Sequence, residues 1–380
     1  MQYITIKQRL ARLRRRMADD GVDLLVLGPG TYVEWLLGFH PYPDERVSLL
    51  LVGPQQAMFV MPALNAADTQ ARCDLPVAIW TDAQGPARAL DTALAATCPP
   101  SATPLRVALD EAMRTDFALA VLDRLPGANV VMARDVAGAV RMLKDQEEYR
   151  LLKENAAIAD RAMLHALATI RPGLTEAEVA EAIAGAFAAE GAKVKFAIVA
   201  TGPNGALPHH HTGAAVLSPG DAVVIDIGAR RDGYCSDITR MAVLEHEPEG
   251  YGEIHAIVED AVQAALKAAR PGATASSVDR AARGVIEQAG YGPYFVHRTG
   301  HGLGMEGHEA PFITETSETV LEAGMVFSIE PGIYLPGRFG IRLEEIVILR
   351  DDGPEILSAL PRALSRIAPR SQDRTPGSDR

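Results

Sequence analysis

Three cysteines in 380 residues, Cys73, Cys98 and Cys235, are too few and too scattered for a disulfide framework or a cysteine-built zinc site. A reducing compartment, the cytoplasm, is expected for such a chain. Basic residues are also in deficit, 37 against 49 acidic ones, for a formal charge of -12. That surface does not attract polyphosphate, which excludes nucleic acid as a default partner. No apolar run approaches the ~18–20 residues of a membrane span. The basic start, with Arg12, Arg14, Arg15 and Arg16, has no apolar stretch beside it, so neither a membrane nor a signal peptide is expected. Those arginines fall on a helix-like segment from Ile6 to Asp20 and read as a solvated face. Aromatic residues are sparse, at 5%, while 48% of the chain is hydrophobic and 23% charged. This is a globular composition and excludes a disordered, collagenous or fibrous chain. At roughly 100–200 residues per domain, two or three domains are expected.

The fold class expected is α/β (α+β). In residues 1–140, helical patterns alternate with short apolar runs: Leu24–Leu27, Ser48–Val52, Met58–Met61 and Val107–Leu109. These predict a mixed sheet with helices packed on it. A charge-rich helical segment from about Lys144 to Ile170 opens a second domain, expected over 141–368. Residues 369–380 hold no large apolar anchor and are expected to form a frayed tail.

The second domain repeats itself. Arg171-Pro172-Gly173 recurs 99 residues later as Arg270-Pro271-Gly272, and at that offset Thr175 matches Thr274, Val179 matches Val278 and Gly191 matches Gly290. Each copy reads as helix, stop, second helix with a threonine N-cap, then an apolar strand. Each strand carries a carboxylate close before a glycine, Asp226 ahead of Gly228 and Glu330 ahead of Gly332. Two related halves that each donate an acid predict a pseudo-twofold domain with a site at its axis.

Asp232-Gly233 is a two-residue hairpin signal. With that turn, Arg231 pairs with Tyr234 and Gly228 lies opposite Asp237, so Asp226 and Asp237 share a face. Two carboxylates pushed together among apolar residues require a proton or a cation between them. In the second half Glu330 precedes Arg342-Leu343-Glu344-Glu345, and strand alternation does not decide whether Glu344 or Glu345 turns inward. Six of the ten histidines form two clusters, His209-His210-His211 and His297, His301, His308. His301 lies between Gly300 and Gly302, glycines that let a backbone approach a ligand closely. Four carboxylates and one imidazole suit two divalent metals such as Mn²⁺, Co²⁺ or Zn²⁺. Two such ions ~3.5–4 Å apart activate a water and polarise a carbonyl, the requirements of hydrolysis.

Asp226, Asp237, His301, Glu330 and Glu344, with their flanks Ser236-Asp237-Ile238-Thr239-Arg240, Gly300-His301-Gly302-Leu303-Gly304, His308-Glu309-Ala310-Pro311 and Ile329-Glu330-Pro331-Gly332, resemble the metal ligands of the pita-bread metallopeptidases. The resemblance favours the Xaa-Pro branch, aminopeptidase P and prolidase. It places the family's Arg-x-Glu motif on Arg342-Leu343-Glu344. Residues 1–140 resemble, more loosely, the creatinase-type N-terminal domain of that branch.

The resemblance implies a metal-dependent hydrolase with two divalent cations per chain, Mn²⁺ first, then Co²⁺ or Zn²⁺. Its substrate is a peptide with proline at the second position, and it forms a homodimer or higher homo-oligomer. Asp226 is expected on one metal, His301 and Glu330 on the other, with Asp237 and Glu344 bridging. Glu330 is expected to shuttle a proton. His209 belongs on the substrate side, His308 near the scissile carbonyl and His297 in the proline pocket, with Arg342 and Tyr334 behind them. His210 and His211 receive no role, and either is an alternative to His209. The same fold also hosts creatinase-like small-amide hydrolases and non-catalytic binding proteins.

Overall fold

The computed structural model describes residues 6–98 and 104–369. The expected tail therefore lies almost wholly outside the described residues. The chain divides into two compact units, one ending at Leu143 and the other starting at Lys144.

The first unit is built on strands β1 (Leu24–Leu27), β2 (Leu49–Val52), β3 (Ala57–Pro62), β4 (Val77–Trp80), β5 (Arg106–Leu109) and β6 (Asn129–Met132). They form one mixed sheet in the order β4-β3-β2-β1-β5-β6. Val26, Leu49, Leu51 and Val60 on one face pack against Leu90, Leu94, Phe117 and Val121 from the helices. The outer strands β4 and β6 escaped the sequence reading. Each is a four-residue edge strand with a partner on one side only, so its hydrophobic pattern is weak.

The second unit opens with helix Gln146–Thr169, started by a reciprocal cap in which Asp145 and Glu148 satisfy each other's backbone donors. The repeat seen in the sequence is a repeat of structure. Helix Glu176–Ala189 is capped by Thr175, and helix Ala275–Gln288 by Thr274. Gly173 N–H donates to Leu217 O and Gly272 N–H to Leu321 O, both at 2.8 Å. The strands are β7 (Lys193–Thr201), β8 (Ala222–Arg231), β9 (Tyr234–Cys235), β10 (Ile238–Leu244), β11 (Gly300–Gly302), β12 (Glu309–Ile313), β13 (Val326–Ile329), β14 (Gly332–Leu335), β15 (Phe339–Arg342), β16 (Glu345–Arg350), β17 (Gly353–Ile356) and β18 (Ser365–Ile367). One sheet runs β18-β10-β8-β7, with β9 on β8; its counterpart runs β12-β11-β13-β16-β17; β14 and β15 pair with each other.

Alternation along β8 sorts its side chains. Val223, Ile225, Ile227 and Ala229 join Ile158, Met163, Ile183 and Phe187 in the core under the helices. Asp226 consequently faces the other way. Each aliphatic side chain so buried stabilises the sheet by roughly 1.5–3 kcal/mol, which fixes the register against a one-residue slip. The Asp232-Gly233 turn forms with positive φ at both residues, 51° and 84°. Arg231 pairs with Tyr234 and Ile227 with Ile238, the register expected from sequence.

The second half departs from a single hairpin. Pro331 offers no N–H to a ladder, and the chain breaks there into the separate β14–β15 hairpin before returning as β16. β13 then pairs directly with β16, and Ile329 lies opposite Glu345. Among the described residues no helix is long and apolar enough to cross a membrane.

Candidate active site

Nine of the residues singled out in the sequence line one cavity of about 510 Å³ in the second unit: Asp226, Asp237, His301, Glu330 and Glu344, with His209, His297, His308 and Arg342; Tyr334, His210 and His211 are not in its lining. Asp226 comes from the middle of β8. Asp237, Glu330 and Glu344 sit at breaks in the strand ladders, just before β10, just after β13 and just before β16. A ladder position commits a side chain to one face by alternation, whereas a break does not, and so the choice between Glu344 and Glu345 was open in the sequence. Glu344 faces the cavity and accepts from Thr239 Oγ1 at 2.8 Å. Glu345 faces away, accepting from Arg240 Nη2 and Arg362 Nη1 at 2.9 Å each.

The donor atoms fall into overlapping groups that each fit one cation. Asp226, Asp237 and Glu344 form one, His301, Glu330 and Glu344 a second, and Asp237, His301 and His308 a third, with all atoms of a group within 4.8 Å of one another. His301 Nδ1 donates to Gly302 O at 3.1 Å, which leaves Nε2 as the free lone pair, 3.2 Å from Glu330 Oε1. The glycines around His301 act differently from the expectation. A side chain at Gly300 would lie 1.9 Å from Ser328 O, and one at Gly302 2.2 Å from Ala310 O, so both glycines admit neighbouring backbone rather than a ligand.

The electrostatics call for positive charge. Burial, and then the charges of Glu344, Asp226 and Glu330, hold the Asp237 carboxyl well above its ordinary range. Burial, and then Glu330 and Asp226, do the same to Glu344. Arg342 offsets part of this through its Nη2 bond to Asp226 Oδ2. Asp226 Oδ1 is nonetheless buried with no hydrogen-bond partner among the described residues. A carboxylate oxygen left bare beside three other acids fits a bound cation, and the oxygen-rich donor set with one imidazole suits a divalent metal.

Around this acidic floor stand the other histidines. His297 Nδ1 donates to Arg298 O at 2.7 Å and its Nε2 meets Tyr334 OH at 2.8 Å, while Arg342 Nη1 donates to the same hydroxyl at 2.8 Å. Both ring nitrogens are thus engaged, and His297 offers the cavity a neutral, fixed ring. The His308 ring lies 3.9 Å from that of His301. Burial, then the neighbouring His301 and Arg298, push its pKa down to about 4, which makes it a neutral imidazole at pH 7. His210 is turned away to Glu176, 2.8 Å from its Oε2, and is no alternative to His209.

Two further residues at or behind the cavity were not singled out from the sequence. Arg298 lines the cavity, donates to His308 Nδ1 at 3.4 Å and stacks over Phe312, with no carboxylate in ion-pair reach among the described residues. Its position three residues before His301 was the available signal. Arg240, 1% exposed, donates to the main-chain oxygens of Thr239, Glu344, Leu360 and Pro361, to Ser358 Oγ and to Glu345. It fixes the backbone of Glu344 from behind.

A carboxylate-rich pocket of this kind, set between two related halves, defines a class of metal-dependent hydrolases. Residues 150–351 match metallopeptidase family M24, and residues 9–143 match the creatinase/prolidase N-terminal domain. The chain belongs to metallopeptidase family M24, and its second unit has the pita-bread fold. It is 38% identical over 364 residues to a probable dipeptidase PepE of Mycobacterium tuberculosis, covering 94% of this chain and 95% of that one. It is 32% identical over 356 residues to an Xaa-Pro dipeptidase of Lactobacillus delbrueckii subsp. lactis, covering 90% and 95%. The crystal structure of dipeptidase PepE from Mycobacterium ulcerans superimposes with a TM-score of 0.89 at 37% identity, over 96% of this chain and 98% of that chain.

Proposed function

We propose that this chain is an Xaa-Pro dipeptidase that works in the cytoplasm as a homodimer or higher homo-oligomer, with two divalent cations per chain, Mn²⁺ by preference over Co²⁺ or Zn²⁺. The observation that carries the reading is the cluster of four carboxylates and His301 around the bare Asp226 Oδ1. The predominance of carboxylate oxygens in that donor set supports Mn²⁺. Asp226, Asp237 and Glu344 would hold one ion and His301, Glu330 and Glu344 the other, with Asp237 shared. Bound there, the ions supply a water of lowered pKa and a Lewis acid for the scissile carbonyl.

The remaining work belongs to side chains. The Xaa-Pro bond is a tertiary amide, so its leaving nitrogen has no hydrogen of its own and must gain a proton to depart. Glu330, positioned by Ser328 Oγ at 3.0 Å, takes the proton of the attacking water and returns it to that nitrogen. Neutral His308 donates to the carbonyl oxygen as negative charge develops on it. His297, held by Tyr334, forms a wall for the proline ring, and His209 steadies the amino-terminal residue. Arg298, a cation with no acidic partner among the described residues, meets the free carboxylate that a dipeptide presents and a longer peptide does not.

The test compares release of the first residue from Xaa-Pro and from Xaa-Pro-Yaa-Zaa, with Mn²⁺, Co²⁺ and Zn²⁺ each added to chelated enzyme. The expected result is cleavage only with metal, faster on the dipeptide. Full activity in metal-free protein would move the reading to creatinase-like chemistry, and no cleavage with any metal would leave a binding protein. Sedimentation of the purified chain tests the assembly.

A further inference from the structure

Several buried acids lie outside the proposed chemistry, and one of them reaches the segment that carries His209. Glu176, the first residue of helix Glu176–Ala189, is 0% exposed. Its Oε1 accepts from Thr201 N–H and Asn204 Nδ2, both at 2.9 Å. Its Oε2 accepts from His210 Nε2 at 2.8 Å and Gly213 N–H at 3.1 Å. The four donors run from the last residue of β7 through the segment that follows it and carries His209. Burial pushes the carboxyl up, but hydrogen bonds from Asn204, Thr201, His210 and Gly213 outweigh it and hold Glu176 ionised. Between Pro208 and Gly213 the chain belongs to no sheet or helix. No strand or helix ladder therefore orients His209; a turn closed by His210 N–H on Leu207 O at 3.1 Å spans it. Two side chains add to that turn. Arg342 Nη1 donates to Pro208 O at 3.3 Å on one side, and His210 is tied to Glu176 on the other. His209 projects into the cavity between these two anchors.

We propose that Glu176 and His210 are positioning residues for His209. The buried carboxylate clamps the segment through His210, and the clamp sets where the His209 ring stands over the substrate. This rests on the reading of His209 as a substrate-side group. It also gives His210, which had no assigned role, a specific one: its Nε2–H serves as a donor to Glu176 and not as a group that touches substrate.

The test measures turnover of an Xaa-Pro dipeptide and metal per chain for Glu176→Gln, His210→Phe, His210→Gln and His209→Ala, and for each of the first two combined with His209→Ala. Displacing a substrate-contacting group by about 1 Å costs up to ~10²-fold, so Glu176→Gln and His210→Phe should lower kcat by ~10- to 100-fold with metal content unchanged. His210→Gln places an amide donor near the position of Nε2 and should recover most of the rate. In the His209→Ala background either change should cost less than ~2-fold, because residues that act as one unit are not additive. Equal fold-losses in both backgrounds, or wild-type kcat in His210→Phe, would overturn the proposal. Wild-type turnover in His209→Ala alone would overturn the reading of His209 beneath it, a distinguishable failure. If Glu176→Gln does not fold, the His210 pair decides the question by itself.

Discussion

Glu344 and Glu345 are neighbours in sequence with opposite surroundings, and replacing each by glutamine should have opposite effects on metal and on stability. Glu344 supplies an oxygen to two of the donor groups. Glu344→Gln should lower metal per chain and reduce turnover by orders of magnitude. In chelated protein it should not lower the melting point, because it removes one of four mutually repelling carboxylates. Glu345, 2% exposed, instead compensates Arg240 and Arg362. Removing one partner of a buried ion pair costs about 3–5 kcal/mol. The low end applies here. Arg362 keeps Glu259 at 2.8 Å, and burial already pushes the Glu345 carboxyl up against the pull of the two arginines. About 3 kcal/mol corresponds to a drop of roughly 6–12 °C for a unit of this size. Two metals should remain, since the Glu345 carboxylate points away from the cavity. Metal analysis after dialysis and calorimetry in chelator measure both effects. Metal loss in Glu345→Gln with retention in Glu344→Gln would refute the assignment, and so would a chelated Glu344→Gln protein that melts below chelated Glu345→Gln.

His308→Ala should cut turnover by ~10²–10³-fold, the usual loss for one oxyanion donor, with metal content unchanged, while His301→Ala loses a site. Because His308 also lies within ligand reach of Asp237 and His301, an emptied site in His308→Ala would reassign it as a ligand. Arg298→Met should raise KM for Xaa-Pro by ~10- to 100-fold, as expected for one charge-assisted hydrogen bond, and leave KM for Xaa-Pro-amide unchanged. Equal effects on both substrates would remove the carboxylate from its role. His255 has a buried Nε2 with no partner among the described residues, and burial holds its pKa below the ordinary 6.5. The folded state thus binds fewer protons than the unfolded one as pH falls below 6.5, and stability present above that pH is lost on the way down. His255→Leu should narrow the gap in Tm between about pH 7.5 and about pH 5; an unchanged gap would clear His255 of acid sensitivity.

The sequence revealed most where local chemistry decides the outcome. Asp232-Gly233 determined a turn, the turn determined a register, and the register carried Asp226 and Asp237 to one side of the sheet. The repeat was equally visible, because its stops and caps are made by residues within one turn of each other. What stayed hidden depends on partners far along the chain. Glu345 is explained by Arg240 and Arg362, and His210 by a glutamate 34 residues earlier. Gly300 and Gly302 looked like ligand-facing glycines because their true neighbours, the carbonyls of Ser328 and Ala310, belong to strands not yet paired in a linear reading.

Translation meets this architecture in a fixed order. The main chain at Glu344 is held by Arg240, and Arg240 is itself held by the carbonyls of Leu360 and Pro361. A ribosome that has delivered Asp226, Asp237 and even Glu330 to the cell has not yet delivered the strap that locks the fourth acid in place. Until residue 361 leaves the exit tunnel, the main chain at Glu344 lacks that brace. On the proposed reading, a cage that includes a braced Glu344 would exist only in a chain long enough to hold Leu360 and Pro361.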